Sequence, residues 1–333
     1  MTAVGTTAAI FGCLGPKLLP AEQAFFRDAD PFGFIIFARN VETPDQLHRL
    51  TSDLRDSLGR DAPVLIDQEG GRVQRLRGPH WREWTPPLDA IVAAGDLANA
   101  CHIMALRAAL IAAELRAVGI DANCAPVADI ATDATHPVLR NRCYGTDAAS
   151  VTAIASAVAD AFLAGGVLPV IKHMPGHGRA AADTHHDLPT VAADAASLHA
   201  TDFAPFRALS QLPMAMTTHI VFAAYDDQHP ATQSARMIEV IRKDIGFSGL
   251  LMTDDLNMQA LSGSLADRTT RSMRAGCDIA LHCKGDMAEM RAVAAAAGPM
   301  RQETQVRALA ALARRIAHPR IDIAAIEAAL ADV

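Results

Sequence analysis

The sequence is poor in aromatic residues, in paired cysteines and in clustered positive charge. Aromatic side chains make up 5% of the 333 residues, and the 6 cysteines are scattered with no Cys-x-x-Cys pair. A disulfide framework is therefore not expected, and a reducing compartment is favoured. The formal net charge is −7 and no long basic run occurs, so we do not expect a nucleic-acid partner.

Signals for export and for membrane insertion are also missing. Residues 1–12 show no basic segment followed by an apolar one, so no secretory signal is expected. The longest nearly uncharged stretch, residues 151–171, contains Asp160 and is interrupted by Gly165-Gly166. This pattern predicts a helix that leads into a buried strand, not a membrane span. We expect a cytoplasmic protein with no membrane partner.

The composition is that of an ordinary globular protein, with 50% hydrophobic and 20% charged residues. The length exceeds an average domain but suits one α/β barrel, which takes about 250 residues or more. We find no internal repeat and no low-complexity linker. The sequence therefore predicts a single domain over residues 1–333, with tail helices from about residue 302.

Short apolar runs rich in β-forming residues alternate with longer helical patterns. The candidate strands are residues 8–11, 33–37, 64–67, 121–127, 168–172, 214–219, 249–253 and 278–282. The clearest helical patterns cover residues 44–58, 98–117, 147–164, 195–209, 235–245, 264–275 and 286–297. Strands that are apolar on both faces are typical of a parallel sheet covered by helices.

Eight strands alternating with helices favour an α/β fold, a single (β/α)₈ TIM-type barrel with a helical C-terminal tail. The alternative is a doubly wound open sheet. No Gly-x-Gly-x-x-Gly follows an early strand, which disfavours the dinucleotide-binding version of that fold.

Polar residues occur where seven of the strands end. They are Arg39, Asp67, Asp129, Lys172-His173, Thr218-His219, Asp254-Asp255 and His282. Because the carboxyl ends of barrel strands meet at one face and carry the active site, this placement predicts an enzyme.

The densest polar cluster runs from Lys172 to Gly178 and resumes at residues 183–187. One hypothesis is a metal site that uses His173, His177, Asp183 and His185 as ligands. Another is a catalytic pair in which Asp183 orients His185 and favours its protonated form, so that it can donate a proton. A surface loop with solvated histidines is the plainer interpretation.

A second cluster, residues 67–75, begins with Asp67 at the end of an apolar strand. A carboxylate there can accept hydrogen bonds from two hydroxyl groups of one substrate. The alternative is a structural loop in which Arg72 and Arg75 neutralise Asp67 and Glu69.

A third cluster contains the adjacent acids Asp254 and Asp255. Neighbouring residues of a strand point to opposite faces, so only one of them can enter the barrel mouth. That one can be a nucleophile or base, and the other is left to cap a helix or pair structurally. Periodicity does not choose between them.

Together these segments resemble glycoside hydrolase family 3, in its single-domain β-N-acetylhexosaminidases of the NagZ type. The strings DQEGGRVQR, KHMPGHG with DTHHDLP, and GFSGLLMTDDLNM occur in the family's order and spacing, and the resemblance covers residues 12–261. Met174, Thr184 and Asn257 replace Phe, Ser and Ser of the commoner pattern. None of these replacements removes a reacting group.

The resemblance implies a role for each matched residue. Asp254 matches the nucleophile that forms a glycosyl-enzyme intermediate, His185 matches the acid/base residue, and Asp183 matches its dyad partner. The matched sugar-binding positions are Asp67, Arg75, Lys172, His173 and, in the string LRNRCYG, Arg142.

The resemblance also implies a substrate. It is a terminal N-acetylglucosamine on peptidoglycan turnover fragments, GlcNAc-1,6-anhydroMurNAc and its peptides, cleaved with retention and without a cofactor or metal. We expect a monomer or weak homodimer. Hydrolysis is the default, but phosphate as the acceptor stays open, because a histidine acid/base would not repel it as a carboxylate would. Two further alternatives stay open: a metal-dependent barrel hydrolase or lyase built on the histidine cluster, and a barrel that binds sugar without turnover.

Overall fold

The computed structural model of the chain describes residues 4–180 and 188–331. Its strands, in chain order, are β1 (Thr7–Gly12), β2 (Pro31–Ile36), β3 (Val64–Ile66), β4 (Ala122–Asn123), β5 (Leu168–Met174), β6 (Thr190–Val191), β7 (Met214–Thr217), β8 (Val221–Phe222), β9 (Leu250–Asp255) and β10 (Ile279–His282). All of them except β6 and β8 close into a parallel barrel in the order β1-β2-β3-β4-β5-β7-β9-β10. The predicted (β/α)₈ barrel is confirmed.

Helices surround the barrel. They are α1 (Pro20–Ala29), α2 (Pro44–Leu58), α3 (Pro87–Ala93), α4 (Leu97–Ala117), α5 (Pro137–Arg140), α6 (Ala148–Ala164), α7 (Ala195–Ala200), α8 (Ala204–Ala208), α9 (Ala235–Glu239), α10 (Leu265–Ala275), α11 (Met287–Ala297), α12 (Gln302–Leu312) and α13 (Ile323–Ala331). Several begin at a side-chain cap, such as Asp96 for α4 and Asp147 for α6, whose carboxylates accept N–H groups of the first turn.

Successive residues of each barrel strand alternate between two apolar layers. In β9, Leu250 and Met252 pack inside the barrel, whereas Leu251 packs between the barrel and the helices. This period of two is the reason that the strands are apolar on both faces.

Some predicted boundaries were wrong. The pattern over residues 195–209 forms two short helices, α7 and α8, and the pattern over 235–245 ends as a π-helical turn, Val240–Asp244. The run at 121–127 forms a shorter regular strand than predicted, Ala122–Asn123. Pro126 has no N–H to donate, and beyond it the pairing continues as an isolated bridge between Val127 and Lys172. Helices α1, α3 and α5 were not predicted.

Among the described residues one helix, α4, has the length and hydropathy that a membrane crossing requires. In the barrel it packs against α3, α6 and α13.

The C-terminal tail covers the end of the barrel where the strands begin. Ala308, Ala311 and Leu312 of this tail join the apolar layer inside the barrel. Asp278, which precedes β10 and is 0% exposed, accepts hydrogen bonds from Arg307 at 2.8 Å and from Thr304 at 2.9 Å. The tail is therefore bound to the barrel by both apolar packing and buried charge.

Candidate active site

A cavity of about 290 Å³ opens at the carboxyl ends of the strands. Six residues that the family resemblance matched to catalysis or sugar binding line it: Asp67, Arg75, Arg142, Lys172, His173 and Asp254; the neighbouring Asp255 lines it as well. These side chains are far apart in sequence and are brought together because parallel strands end at the same face of the barrel.

Asp67 is held by two cations. Its Oδ1 lies 2.8 Å from Nζ of Lys172, and its Oδ2 lies 3.0 Å from Nη2 of Arg75. Burial alone would raise the pKa of Asp67, but Lys172 and Arg75 together hold it well below its usual range. Asp67 is therefore an ionised carboxylate with lone pairs facing the cavity.

Glu69 lies behind this layer, with a side chain that is 0% exposed. Arg142 donates to both of its oxygens at 2.8 Å, and Lys172 approaches its Oε1 to 2.6 Å. Burial would raise the pKa of Glu69, but Arg142 and Lys172 lower it to about 2. The interpretation that Arg72 and Arg75 neutralise Asp67 and Glu69 is thus correct only for the Arg75–Asp67 pair.

His173 follows Lys172 on β5 and is also tightly held. Its Nδ1 lies 2.7 Å from Oδ2 of Asp129, and its Nε2 lies 3.5 Å from Nη2 of Arg142. The rings of His173 and His177 meet edge to face, with centroids 5.3 Å apart. Burial lowers the pKa of His177 to about 4, so this second ring is neutral at physiological pH.

Asp254 and Asp255 face different surroundings. Asp254 shares the inner side of β9 with Leu250 and Met252 and lines the cavity. Burial would raise its pKa, but His173, His219 and Lys172 lower it below the ordinary value. Asp254 is consequently ionised where a substrate would lie.

The Asp255 carboxylate instead accepts backbone N–H groups, from Asn257 at 3.1 Å and from Cys283 at 3.3 Å. Burial raises the pKa of Asp255 to about 6, and the neighbouring Asp254 charge adds to this effect. Of the two acids, Asp255 is therefore the one with a structural role, because its carboxylate is bound to backbone N–H groups.

Asp183 and His185 lie outside the described residues. Ala180, the last described residue before them, accepts a hydrogen bond at its carbonyl from the backbone N–H of His136 at 3.1 Å. Gly178 passes so close to the next loop that a Cβ atom there would lie 1.8 Å from the carbonyl oxygen of Ile130, so only glycine can occupy this position.

Three residues contribute to the site without a role assigned from the sequence. Asp129 and His219 were noted at strand ends, and Glu69 only as part of a loop. His219 is buried and lies 3.1 Å from the carbonyl oxygen of Asp255, which supports the strand end that carries both acids. A polar residue at the end of a barrel strand is the signal that pointed to Asp129 and His219.

For the metal hypothesis, two of the four ligands can be placed. In residues 4–180 and 188–331, no group of three or more His, Cys, Asp or Glu side chains has the arrangement of a metal site. His173 uses Nδ1 to contact Asp129, and its Nε2 faces the Arg142 guanidinium, a cation that would repel a metal ion.

Comparison with known proteins identifies the family. A model of the glycosyl hydrolase family 3 N-terminal domain matches residues 21–318. The chain belongs to this family. A β-hexosaminidase of Methylococcus capsulatus is 35% identical over 280 residues, which cover 82% of this chain and 82% of that protein. A β-hexosaminidase of Bordetella pertussis is 33% identical over 285 residues, covering 83% and 79% respectively.

Solved structures of the family share the fold. NagZ from Neisseria gonorrhoeae in complex with N-trifluoroacetyl-D-glucosamine superposes with a TM-score of 0.87 at 26% identity, covering 100% of this chain and 98% of that one. A family 3 β-N-acetylglucosaminidase from Paenibacillus gives 0.82 at 29% identity; it covers 98% of this chain, which spans 62% of that longer protein. The predicted resemblance is confirmed, and the chain is a glycoside hydrolase of the β-hexosaminidase type.

Proposed function

We propose that this glycoside hydrolase is a retaining exo-β-N-acetylglucosaminidase acting on peptidoglycan turnover fragments, GlcNAc-1,6-anhydroMurNAc and its peptides. The complex of gonococcal NagZ with an N-acylated glucosamine supports an aminosugar substrate. The fragment class follows from the resemblance noted in the sequence, and the cytoplasmic location stays a prediction.

One observation carries the mechanism: Asp254 lines the cavity as an ionised carboxylate, because His173, His219 and Lys172 lower its pKa. Its oxygen attacks the anomeric carbon of the bound sugar and displaces the aglycone oxygen. A covalent glycosyl-enzyme forms, and water then hydrolyses it with net retention. Asp255, held by backbone N–H groups, supports the strand end and takes no part in bond formation.

The departing oxygen needs a proton, because an alkoxide is a poor leaving group. Retaining glycosidases commonly supply it from a second carboxylic acid about 5–5.5 Å from the nucleophile. In this chain the imidazolium of His185, oriented by Asp183, takes that part and afterwards activates the attacking water. Both residues are assigned from the sequence motif.

The sugar itself is bound by charged groups that are already in place. The Asp67 carboxylate accepts hydroxyl hydrogen bonds, while Arg75 and Lys172 donate to other hydroxyl oxygens. Because Arg142 and Lys172 are fixed by Glu69, little ordering is required when the sugar binds.

Trapping with a slow fluorinated aminosugar, followed by peptide mass spectrometry, tests this proposal. We expect one sugar ester per chain, located on Asp254, and a β-configured first product by NMR. A label on another residue, or an inverted product, would overturn the mechanism.

A chromogenic N-acetylglucosaminide assay with and without EDTA addresses the two alternatives. We expect full activity in the presence of the chelator. Loss of activity that added metal restores would favour the metal-dependent hydrolase, and sugar binding without turnover would favour the inactive barrel.

A further inference from the structure

Asp129, which follows β4 in the chain, has a buried carboxylate that accepts hydrogen bonds from two N–H groups of His173 and one of His177. Its side chain is 0% exposed. Oδ2 lies 2.7 Å from Nδ1 of His173, and Oδ1 lies 3.2 Å from the backbone N of His173 and 2.7 Å from the backbone N of His177. Both oxygens are therefore occupied, and the carboxylate holds a side chain and its backbone together.

These contacts determine where the proton of His173 lies. Burial would raise the pKa of Asp129, but His173 and the N–H group of His177 lower it, so the group is ionised. An ionised carboxylate only accepts hydrogen bonds. In the neutral form of the ring, Nδ1 of His173 must then carry the hydrogen, which leaves a lone pair on Nε2.

The surroundings of Nε2 agree with that tautomer. The nearest donor is Nη2 of Arg142, at 3.5 Å, and a guanidinium only donates. A hydrogen on Nε2 would point at the N–H of Arg142 and be repelled by it, whereas a lone pair on Nε2 faces that donor favourably. Because His173 lines the cavity, the same lone pair is available to a hydroxyl group of a bound sugar.

We propose that Asp129 is a positioning residue for the sugar site: it fixes His173 as the Nδ1–H tautomer, so that Nε2 accepts a hydrogen bond from a substrate hydroxyl. The inference rests on the proposed role of His173 in sugar binding. It adds a residue that acts through His173 without touching the substrate.

The tautomer can be measured directly in the wild-type protein. Nitrogen-15 NMR of labelled histidine separates protonated from unprotonated ring nitrogens, and the spectrum of His173→Gln identifies the His173 signals among those of 13 histidines. We expect a protonated Nδ1 and an unprotonated Nε2. A hydrogen on Nε2 of the neutral ring would overturn the proposal, whatever any variant does.

Asp129→Asn tests the functional consequence. The amide oxygen can keep the backbone N–H groups of His173 and His177, but its NH₂ then faces Nδ1 and forces the hydrogen onto Nε2. We expect KM for a chromogenic N-acetylglucosaminide to rise so that kcat/KM falls about 5- to 100-fold, the effect of leaving a hydrogen-bonding group of the site without its partner. The same change in the His173→Gln background should reduce kcat/KM by less than about twofold, because the two residues act as one unit.

Asp278→Asn is the matched control. Asp278 is also a 0% exposed carboxylate that accepts a strand N–H, from Leu251 at 3.0 Å, but it lies at the opposite end of the barrel. We expect this control to lower the melting temperature while leaving KM unchanged.

The outcomes separate this inference from the proposed function. If neither His173→Gln nor Asp129→Asn changes KM, the assignment of His173 to the sugar site is wrong. If His173→Gln weakens binding but a folded Asp129→Asn retains both KM and the His173 tautomer, the positioning role of Asp129 is wrong and the proposed function stands.

Discussion

Glu69 and Arg142 form a two-pronged ion pair inside the barrel mouth, with Nε and Nη2 of the guanidinium each 2.8 Å from a carboxylate oxygen. The pair joins the loop after β3 to the loop before α6. Lys172 adds a third charge from β5, 2.6 Å from Oε1 of Glu69. One buried carboxylate thus holds two of the cations assigned to sugar binding.

Replacing Glu69 by Gln should therefore impair both stability and binding. Arg142 and Lys172 would remain buried without their counter-charge, so we expect the free energy of unfolding to fall by about 3 kcal/mol or more. KM should rise because both cations lose their fixed positions. Glu83→Gln is the control: its pair with Arg77 is about half exposed, and its loss should cost less than about 1 kcal/mol. Equal effects of the two variants in urea titrations and kinetics would refute the assignment.

Asp254→Ala should abolish turnover while the protein keeps its fold, because the change removes the bond-forming group and no core volume. Asp255→Ala should leave measurable kcat but lower the melting temperature, since two backbone N–H groups lose their acceptor. Steady-state kinetics and circular dichroism of both variants decide the matter. An inactive Asp255→Ala beside an active Asp254→Ala would exchange the two roles.

His185→Ala should discriminate between leaving groups. Aryl glycosides with activated phenols depart with little proton donation, whereas alkyl or sugar aglycones need it. We expect kcat/KM for the poor leaving groups to fall about 10²- to 10⁴-fold, and far less for an activated phenol. A plot of rate against leaving-group pKa provides the measurement, and equal losses on both classes would assign His185 another role.

The pKa of Asp255 predicts a pH dependence of stability. Burial raises it from 3.8 to about 6, so the folded state binds the proton more tightly than the unfolded state. The stability that this group contributes is complete below pH 3.8 and is lost as the pH rises through about 6. Asp255→Asn should not show this loss, so its melting temperature relative to the wild type should increase across that range. Parallel curves for the two proteins would contradict the assignment.

The ion pairs between Asp278 and its arginines should stabilise the fold and have no effect on kcat or KM. Arg307 and Arg242 approach this carboxylate to 2.8 and 2.6 Å at the barrel end remote from the cavity. Asp278→Asn leaves both guanidinium groups without their buried counter-charge, and we expect a loss of about 3–5 kcal/mol in the free energy of unfolding. Chemical denaturation measures it. An unchanged midpoint would mean that apolar packing of α12 alone holds the tail.

The barrel could be predicted from the sequence because each of its strands is a local apolar run. Asp67, Lys172, His173 and Asp254 could be predicted because they end such runs, whereas Arg75 and Arg142 were assigned only by the family resemblance. Which side chains pair with one another in the site could not be predicted in the same way. Glu69 is six residues from Arg75 in sequence but pairs with Arg142, since the course of the loop and not proximity along the chain selects the contact. Likewise, nothing local to Asp129 indicates that β5 will bring it His173.

The choice between Asp254 and Asp255 shows the limit most clearly. Alternation predicts that they face opposite ways, but a register shift between β9 and β10 makes the inward side uncertain from sequence alone. Only the packing of Leu250 and Met252 inside the barrel identifies Asp254 as the inward residue.

Helix α12 covers the end of the barrel where the strands begin. Among the described residues, the cavity therefore opens to solvent at the carboxyl ends of the strands, and substrate and products pass through that opening. In the exo-acting hydrolase proposed above, the saccharide enters by its non-reducing end, and the aglycone lies above the sugar that it leaves behind. The two products must therefore depart in order, aglycone first and monosaccharide second. Free monosaccharide should accordingly inhibit by competing with intact substrate for the empty cavity.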